Sequence, residues 1–193
     1  MRELRRQILH ILVGIVIIIL FLNNWIDLFS FFLIVCLGIF LSFVGKYVQL
    51  PIVSWFIDFF GREEDKNKFP GRGIIFFGVG CILVLRLFAT DIALASIIIL
   101  TFADPISHLI GSNFGKIRNP FDNKKKIEGN IAGFLIGSAA SLLFVSPLLA
   151  VIGNAAAMMF EAVSFEVSGE RIDDNLLVPL IASTFMYLAL RYL

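Results

Sequence analysis

The sequence predicts an all-α, polytopic integral membrane protein: one helical bundle of about seven transmembrane helices, forming a single membrane-embedded domain over residues 1–193. Three observations predict it. First, 59% of the residues are hydrophobic and the mean hydropathy is +0.92, whereas soluble domains are about 45–50% apolar. Second, the excess lies in continuous blocks close to the roughly 17–25 residues that a helix needs to cross a bilayer. Third, the basic residues gather in alternate connections between those blocks, as expected of a polytopic membrane protein. Barrel strands would alternate apolar and polar residues. Continuous runs point instead to helices, which satisfy their own backbone groups in lipid.

The elements follow in order. Residues 7–22 form the first span, after Arg2, Arg5 and Arg6. The run ends in Leu22-Asn23-Asn24-Trp25 with no small-residue cleavage site, so it reads as a retained span and not a signal peptide. The second span covers 26–45. Pro51–Phe60 is too short to cross. Its Ile52, Trp55, Phe56, Phe59 and Phe60 fall at i, i+3, i+4, i+7 and i+8, one face of a helix. This predicts an interfacial helix under the inner leaflet, the alternative being an extension of the second span. The remaining spans are 73–89, 92–111, 130–146, 148–163 and 176–192. The first and sixth are short, so five to eight spans are compatible with the pattern. Cys36 and Cys81 lie inside apolar runs without a CxxC partner or ligand spacing and read as packing residues.

Orientation follows from the cations. Arg2, Arg5 and Arg6, then Lys46, Arg62, Lys66, Lys68 and Arg72, then Lys116, Arg118, Lys124, Lys125 and Lys126, and finally Arg171 fall on one side; Arg86 and Arg191 fall on or near the other. This places the N-terminus and the long loops in the cytoplasm and the C-terminus outside. The expected location is a membrane, crossed several times, with the active site on the cytoplasmic side. The net charge of +1 carries no information about partners by itself, and no nucleic-acid partner is expected.

Ionisable groups inside apolar spans carry the chemistry, because a central Asp costs about 2.5–3.5 kcal/mol on insertion scales. Asp104 lies toward the cytoplasmic end of the fourth span, with His108 at i+4 and Gly111 at i+7 on the same face. Glu161 lies near the cytoplasmic end of the sixth. An interhelical hydrogen-bonding role is the structural alternative for both. Gly111-Ser112-Asn113-Phe114-Gly115-Lys116 is not a Walker sequence, but its glycines let backbone N–H groups approach an anion. Lys124, Lys125 and Lys126 then precede Glu128-Gly129, and also suit topology and headgroup contact. Asp173-Asp174-Asn175 offers hard oxygen ligands for Mg²⁺ or Ca²⁺, or a capped turn. Pro70-Gly71-Arg72-Gly73 reads as a helix entry with anion contact through Arg72. Carboxylates for a metal, cations for phosphates and a glycine loop are the parts that phosphoryl transfer uses.

These residues resemble a known family. Arg5-Arg6-x3-His10-x3-Gly14, Pro70-Gly71-Arg72-Gly73 and Asp104-x6-Gly111-x3-Gly115-Lys116 occur in order. Lys125-Lys126-Ile127-Glu128-Gly129, Glu161-x2-Ser164 and Asp173-Asp174-Asn175-Leu176-x2-Pro179 follow. The set is similar to that of the CTP-dependent lipid kinases (dolichol kinase, phytol kinase and fungal diacylglycerol kinase), which are related to phosphatidate cytidylyltransferases. The resemblance implies transfer of the γ-phosphate of CTP to a membrane lipid alcohol with a divalent metal, Mg²⁺ or Ca²⁺. It implies nucleotide and metal chemistry around Asp104, the glycine loop, Lys125-Lys126 and Asp173-Asp174-Asn175; within that, the residue types lead us to expect metal at Asp104 and at Asp173 or Asp174, and nucleotide at Arg72, Gly111, Gly115, Lys116, Lys124, Lys125, Lys126, Glu128, Gly129 and Asn175. Asp104, Lys125 and Glu161 are the expected catalytic residues, Glu161 as general base or second metal ligand. The long N-terminal membrane region of eukaryotic dolichol kinases has no counterpart here, so the resemblance implies a minimal prokaryotic form. Polyprenol, phytol or geranylgeraniol, and diacylglycerol all stay open as acceptors, and the oligomeric state is unassigned. The competing readings are a cytidylyltransferase making a CDP-lipid and a lipid or ion carrier.

Overall fold

A computed structural model describes residues 2–45, 47–48, 51–61, 69–123, 125–163, 166–167 and 170–193. Among them are eight helices: α1 (Arg2–Leu22), α2 (Leu28–Val44), α3 (Pro51–Phe60), α4 (Arg72–Leu87), α5 (Thr90–Phe114), α6 (Ile127–Ser141), α7 (Pro147–Ala162) and α8 (Asp174–Tyr192). A short hairpin pairs β1 (Glu166–Val167) antiparallel to β2 (Glu170–Arg171) between α7 and α8. Each of the seven apolar blocks is a helix, displaced by a few residues at its ends. Three helices, α1, α5 and α8, are long and apolar enough to cross a membrane; α2 and α7 are shorter apolar helices. The hairpin is absent from the sequence reading because two-residue strands are too short to show alternation.

Local chemistry sets the helix ends. Asp27 accepts a hydrogen bond from the Ser30 N–H at 2.8 Å and caps α2, a standard use of Asp at this position. The helix ends at Val44, well before Pro51, so α3 is a separate helix and not an extension of the second span. Arg5 from α1 lies over the Phe59 ring of α3 at 4.2 Å. Gly71 adopts the left-handed conformation, φ +74°, immediately before α4. Ser42 of α2 donates to the Pro70 carbonyl at 2.5 Å and ties that turn to the end of α2.

The core is centred on α5. Its Ile92, Ile97, Ile99 and Leu100 are fully buried, and α1, α6 and α8 pack against it. Two features allow close approach. Gly14 of α1 faces Thr101, where a Cβ would fall 2.6 Å from the Thr101 methyl. Gly129, one of three glycines at four-residue spacing on α6, faces Gly111 of α5, where a Cβ would fall 3.0 Å from the Gly111 Cα. Small residues at this spacing let helix backbones meet in a membrane. Asn154 of α7 is buried and donates to the Phe134 carbonyl at 2.6 Å and to Ser138 Oγ at 3.0 Å, a polar link to α6. The outer surface is apolar: Leu33, Phe40 and Leu143 are 51%, 61% and 75% exposed. Such a surface calls for a lipid surround or a partner and is unsuited to water.

Lys46, Arg62, Lys66, Lys68, Lys124 and Ser164, and the side chains of Arg2, Ile52, Phe56 and Arg171, lie outside the described residues.

Candidate active site

Asp104 stands immediately before Pro105 in α5, and the proline has no N–H to give to the helix ladder. The Asp104 carboxylate is 6% exposed, and its Oδ1 accepts no hydrogen bond. His108 lies one turn further along, with Nε2 3.7 Å from that oxygen, too far for a hydrogen bond. Glu161, 2% exposed, comes from the last turn of α7. One ligating atom from each of Asp104, His108 and Glu161 falls within 4.8 Å of the others.

Lys125 joins this cluster to the start of α8. Its side chain is buried, with Nζ 3.0 Å from Glu161 Oε1 and 3.2 Å from Asp174 Oδ2. It also donates to the Glu161 backbone carbonyl. A lysine this deep needs such partners, because an uncompensated buried charge is strongly destabilising. The other Glu161 oxygen accepts from Asn130 Nδ2 at 3.0 Å. Both oxygens of Glu161 are therefore fixed, one from the loop before α6 and one from α6 itself.

The Asp-Asp-Asn turn faces two ways. Asp174 reaches Lys125, whereas Asp173 accepts from the Asn175 N–H at 3.1 Å and from Asn175 Nδ2 at 2.8 Å. Asp173 Oδ2 also lies 3.5 Å from Arg72 Nε. Asn175 Nδ2 bonds the Gly73 carbonyl at 3.2 Å, docking the start of α8 on the start of α4. Asp104, Arg72 and Asn175 line a cavity of about 90 Å³ together with Arg6, Gln7 and His10. Leu9, Val13, Ile74 and Phe77 supply its apolar wall. His10 Nε2 sits 3.0 Å from the Leu100 carbonyl; a carbonyl only accepts, so Nε2 carries the proton. The first N–H groups of α4 have no side-chain cap, and an uncapped helix start of this kind favours an anion.

The glycine loop lies beside this centre. Gly111 sits in the α5–α6 crossing with Gly129, and the stem of Lys126 covers Gly111 and Gly115. The Lys116 side chain is exposed. Glu128 accepts from the backbone N–H groups of Lys116 at 2.8 Å and Ile117 at 3.0 Å. The first of these bonds, with help from its own helix start and from Ile117, holds its carboxyl below the usual range. Thus Asp104, Glu161, Lys125 and Asp174 converge, while Arg72 and Asn175 share the cavity with Asp104 and Asp173 is joined to both of them. Gly111, Gly115, Lys116, Lys126, Glu128 and Gly129 form the α5–α6 corner.

Comparison with known proteins supplies the relationship. The chain is 31% identical over 188 residues to an uncharacterised protein of Methanocaldococcus jannaschii, covering 95% of this chain and 92% of the relative. It is 27% identical over 144 residues to CTP-dependent diacylglycerol kinase 1 of Schizosaccharomyces pombe, covering 66% of this chain and 63% of that one. It is 25% identical over 158 residues to a Triticum aestivum protein named probable phytol kinase, chloroplastic, covering 75% of this chain and 49% of that one. The chain belongs to the CTP-dependent lipid kinase family. It spans about half to two thirds of the length of these kinase-named members. No family model and no solved structure matches it.

Within this lipid kinase family member, the structure adds residues that the sequence reading leaves out. Asn130 holds Glu161, yet a single amide near a helix start carries no distinctive signal. Arg6, read from the sequence as a topology cation, and His10, named only in the resemblance, prove to line the same cavity as Asp104. His108 is visible in the sequence through its i+4 spacing from Asp104, and the structure places it beside Glu161 as well.

Proposed function

We propose that the chain is a CTP-dependent kinase that transfers the γ-phosphate of CTP to the hydroxyl of a membrane lipid alcohol of the diacylglycerol, phytol or polyprenol class. Acceptor entry would be from the bilayer and nucleotide entry from the cytoplasm. The observation that carries this reading is the convergence of Asp104, Glu161, Lys125 and Asp174, drawn from three helices and a loop, in a family whose named members are lipid kinases.

Phosphoryl transfer asks mainly for positioning and charge neutralisation, and each part has a candidate. Lys125 and Arg72 are the cations for phosphate oxygens, held in place by Asp174 and Asp173. The uncapped start of α4 adds backbone donors beside Arg72. The donor set also fits a divalent ion, because Asp104 presents a buried oxygen with no hydrogen-bond donor close to the Glu161 carboxylate. When bound, such an ion would neutralise phosphate charge. Glu161 suits the ligand role better than the base role, because its oxygens are already pinned by Lys125 and Asn130. The apolar wall formed by α1 and α4 is the side from which an acyl or prenyl chain would present its hydroxyl. A carrier reading fits less well, since the acids and cations gather in one place and do not line a route across the bundle.

The test is purified protein with γ-labelled CTP and a panel of lipid alcohols. The wild type should yield a labelled lipid monophosphate, with CTP preferred over ATP. Asp104→Asn should lose at least about 10²-fold in rate, the scale of removing a group that stabilises transition-state charge, while inserting and purifying normally. A variant that keeps most of its activity would reduce Asp104 to a packing role.

A further inference from the structure

We propose that His10 holds the acceptor alcohol: its Nδ1 takes the hydrogen bond of the lipid hydroxyl and so places that oxygen in the cavity lined by Asp104. The inference deepens the kinase reading and rests on it for the class of acceptor; the hydrogen-bonding position itself is argued from geometry.

His10 is fixed on two sides. Nε2 donates to the Leu100 carbonyl at 3.0 Å, and the ring meets Phe77 edge to face, with centroids 4.7 Å apart. In the neutral ring, a proton on Nε2 leaves Nδ1 as a hydrogen-bond acceptor. Among the described residues no group donates to it. Nor is it sealed in the packing. The buried polar atoms without a partner among the described residues belong to Asp104, Asn130, Asn154, Asn175 and Ser183, whereas His10 borders the cavity.

Whatever binds at Nδ1 has to donate. A deprotonated phosphate oxygen brings only lone pairs and is directed to Arg6 and Arg72, which only donate. A lipid alcohol brings one O–H. Other acceptors in the cavity are less suited to it: Asn175 Oδ1 is enclosed, and the Asp104 carboxylate suits an ion. Gln7 gives its amide nitrogen to Glu3 at 2.6 Å, which leaves its amide oxygen as the competitor. Position along α1 favours His10. Arg6, His10 and Val13 fall at i, i+4 and i+7, one face of the helix, and all three line the cavity. His10 therefore stands between a cationic mouth and an apolar wall that includes Val13 and Phe77. An alcohol whose chain lies along that wall presents its hydroxyl at this step, next to the cations that suit phosphate.

The chain holds two histidines, so ¹⁵N-histidine labelling gives a simple nuclear magnetic resonance spectrum, which His10→Gln assigns. Purified, nucleotide-free, full-length protein in detergent is titrated with geranylgeraniol and with a medium-chain diacylglycerol, each against its methyl ether. The unprotonated ring nitrogen of His10 should move upfield with at least one alcohol and stay in place with the ethers, which cannot donate. A second measurement uses the variant itself. Gln sets its amide nitrogen near the Nε2 position, where it keeps the bond to Leu100, but offers no acceptor at Nδ1. His10→Gln should therefore unfold like the wild type and bind radiolabelled alcohol about tenfold more weakly, the worth of one hydrogen bond, with its KM for CTP unchanged. A merely structural His10 predicts wild-type alcohol binding in this variant. That result, a ring nitrogen that ignores both alcohols, or an equal response to the ethers would each overturn the proposal. The wild-type titration decides even where the variant is unstable. The two readings separate cleanly. An alcohol-dependent shift in a protein that transfers no phosphate from CTP supports the His10 site and sinks the kinase. Transfer from CTP to an alcohol that leaves the His10 signal unmoved does the reverse.

Discussion

Lys125 shows how much of the site depends on single side chains. It is 8% exposed and placed between Glu161 and Asp174, so its removal leaves the Glu161 carboxylate buried without its counter-charge. Lys125→Met should lower stability by about 3–5 kcal/mol, the usual consequence of breaking a buried pair from one side. Chemical unfolding in detergent reads this directly, and combining Lys125→Met with Glu161→Gln should recover part of the loss. A single variant that unfolds like the wild type would mean that the lysine does not bridge the two helices. The residue scale also shows what sequence can and cannot reveal. Asp104 and Glu161 stand out because carboxylates inside apolar runs are expensive. Lys125 is singled out only together with the resemblance; the residue pattern alone does not separate it from Lys124 and Lys126, since three consecutive lysines equally suit topology and headgroup contact. Its burial depends on the ends of α7 and α8, which no local pattern encodes.

Helix positions are legible in the sequence because apolar runs and polar interruptions alternate at bilayer length, and the observed limits differ from the expected ones by a few residues. The pairing of helices is less so. Gly111 and Gly129 attract a nucleotide-binding expectation, yet four-residue spacing of small residues serves helix contact equally well, and both lie where α5 meets α6. That contact has its own prediction. Gly129→Ala places a methyl 3.0 Å from the Gly111 Cα, so the helices must part. It should cost about 1–3 kcal/mol, as overpacking does, and lower the thermal midpoint in detergent. A methyl added at Gly38 of α2 would meet nothing within 4 Å, so Gly38→Ala serves as the control. Equal midpoints for the two variants would show that α5 and α6 do not approach this closely.

The whole molecule places acids, cations and an apolar wall at one end of a bundle whose outer face is fit for lipid. The orientation proposed from the charge bias, with the basic loops in the cytoplasm, has a direct check. Asn123 is exposed in the basic loop before α6, and Asn24 is exposed between α1 and α2. A cysteine at Asn24 should react with an impermeant reagent added to intact cells, and one at Asn123 should react only after permeabilisation. Asn119 is a poor probe, since it is 3% exposed and donates to the Ala162 carbonyl. Reversed labelling would put the Asp104 site outside and away from cytoplasmic nucleotide. The central claim, that this site moves the terminal phosphate, is tested most directly by supplying purified protein with a lipid alcohol and CTP labelled separately at the α and γ positions. The account predicts γ label in a lipid monophosphate and α label in CDP; α label appearing in the lipid, with pyrophosphate released, would contradict it.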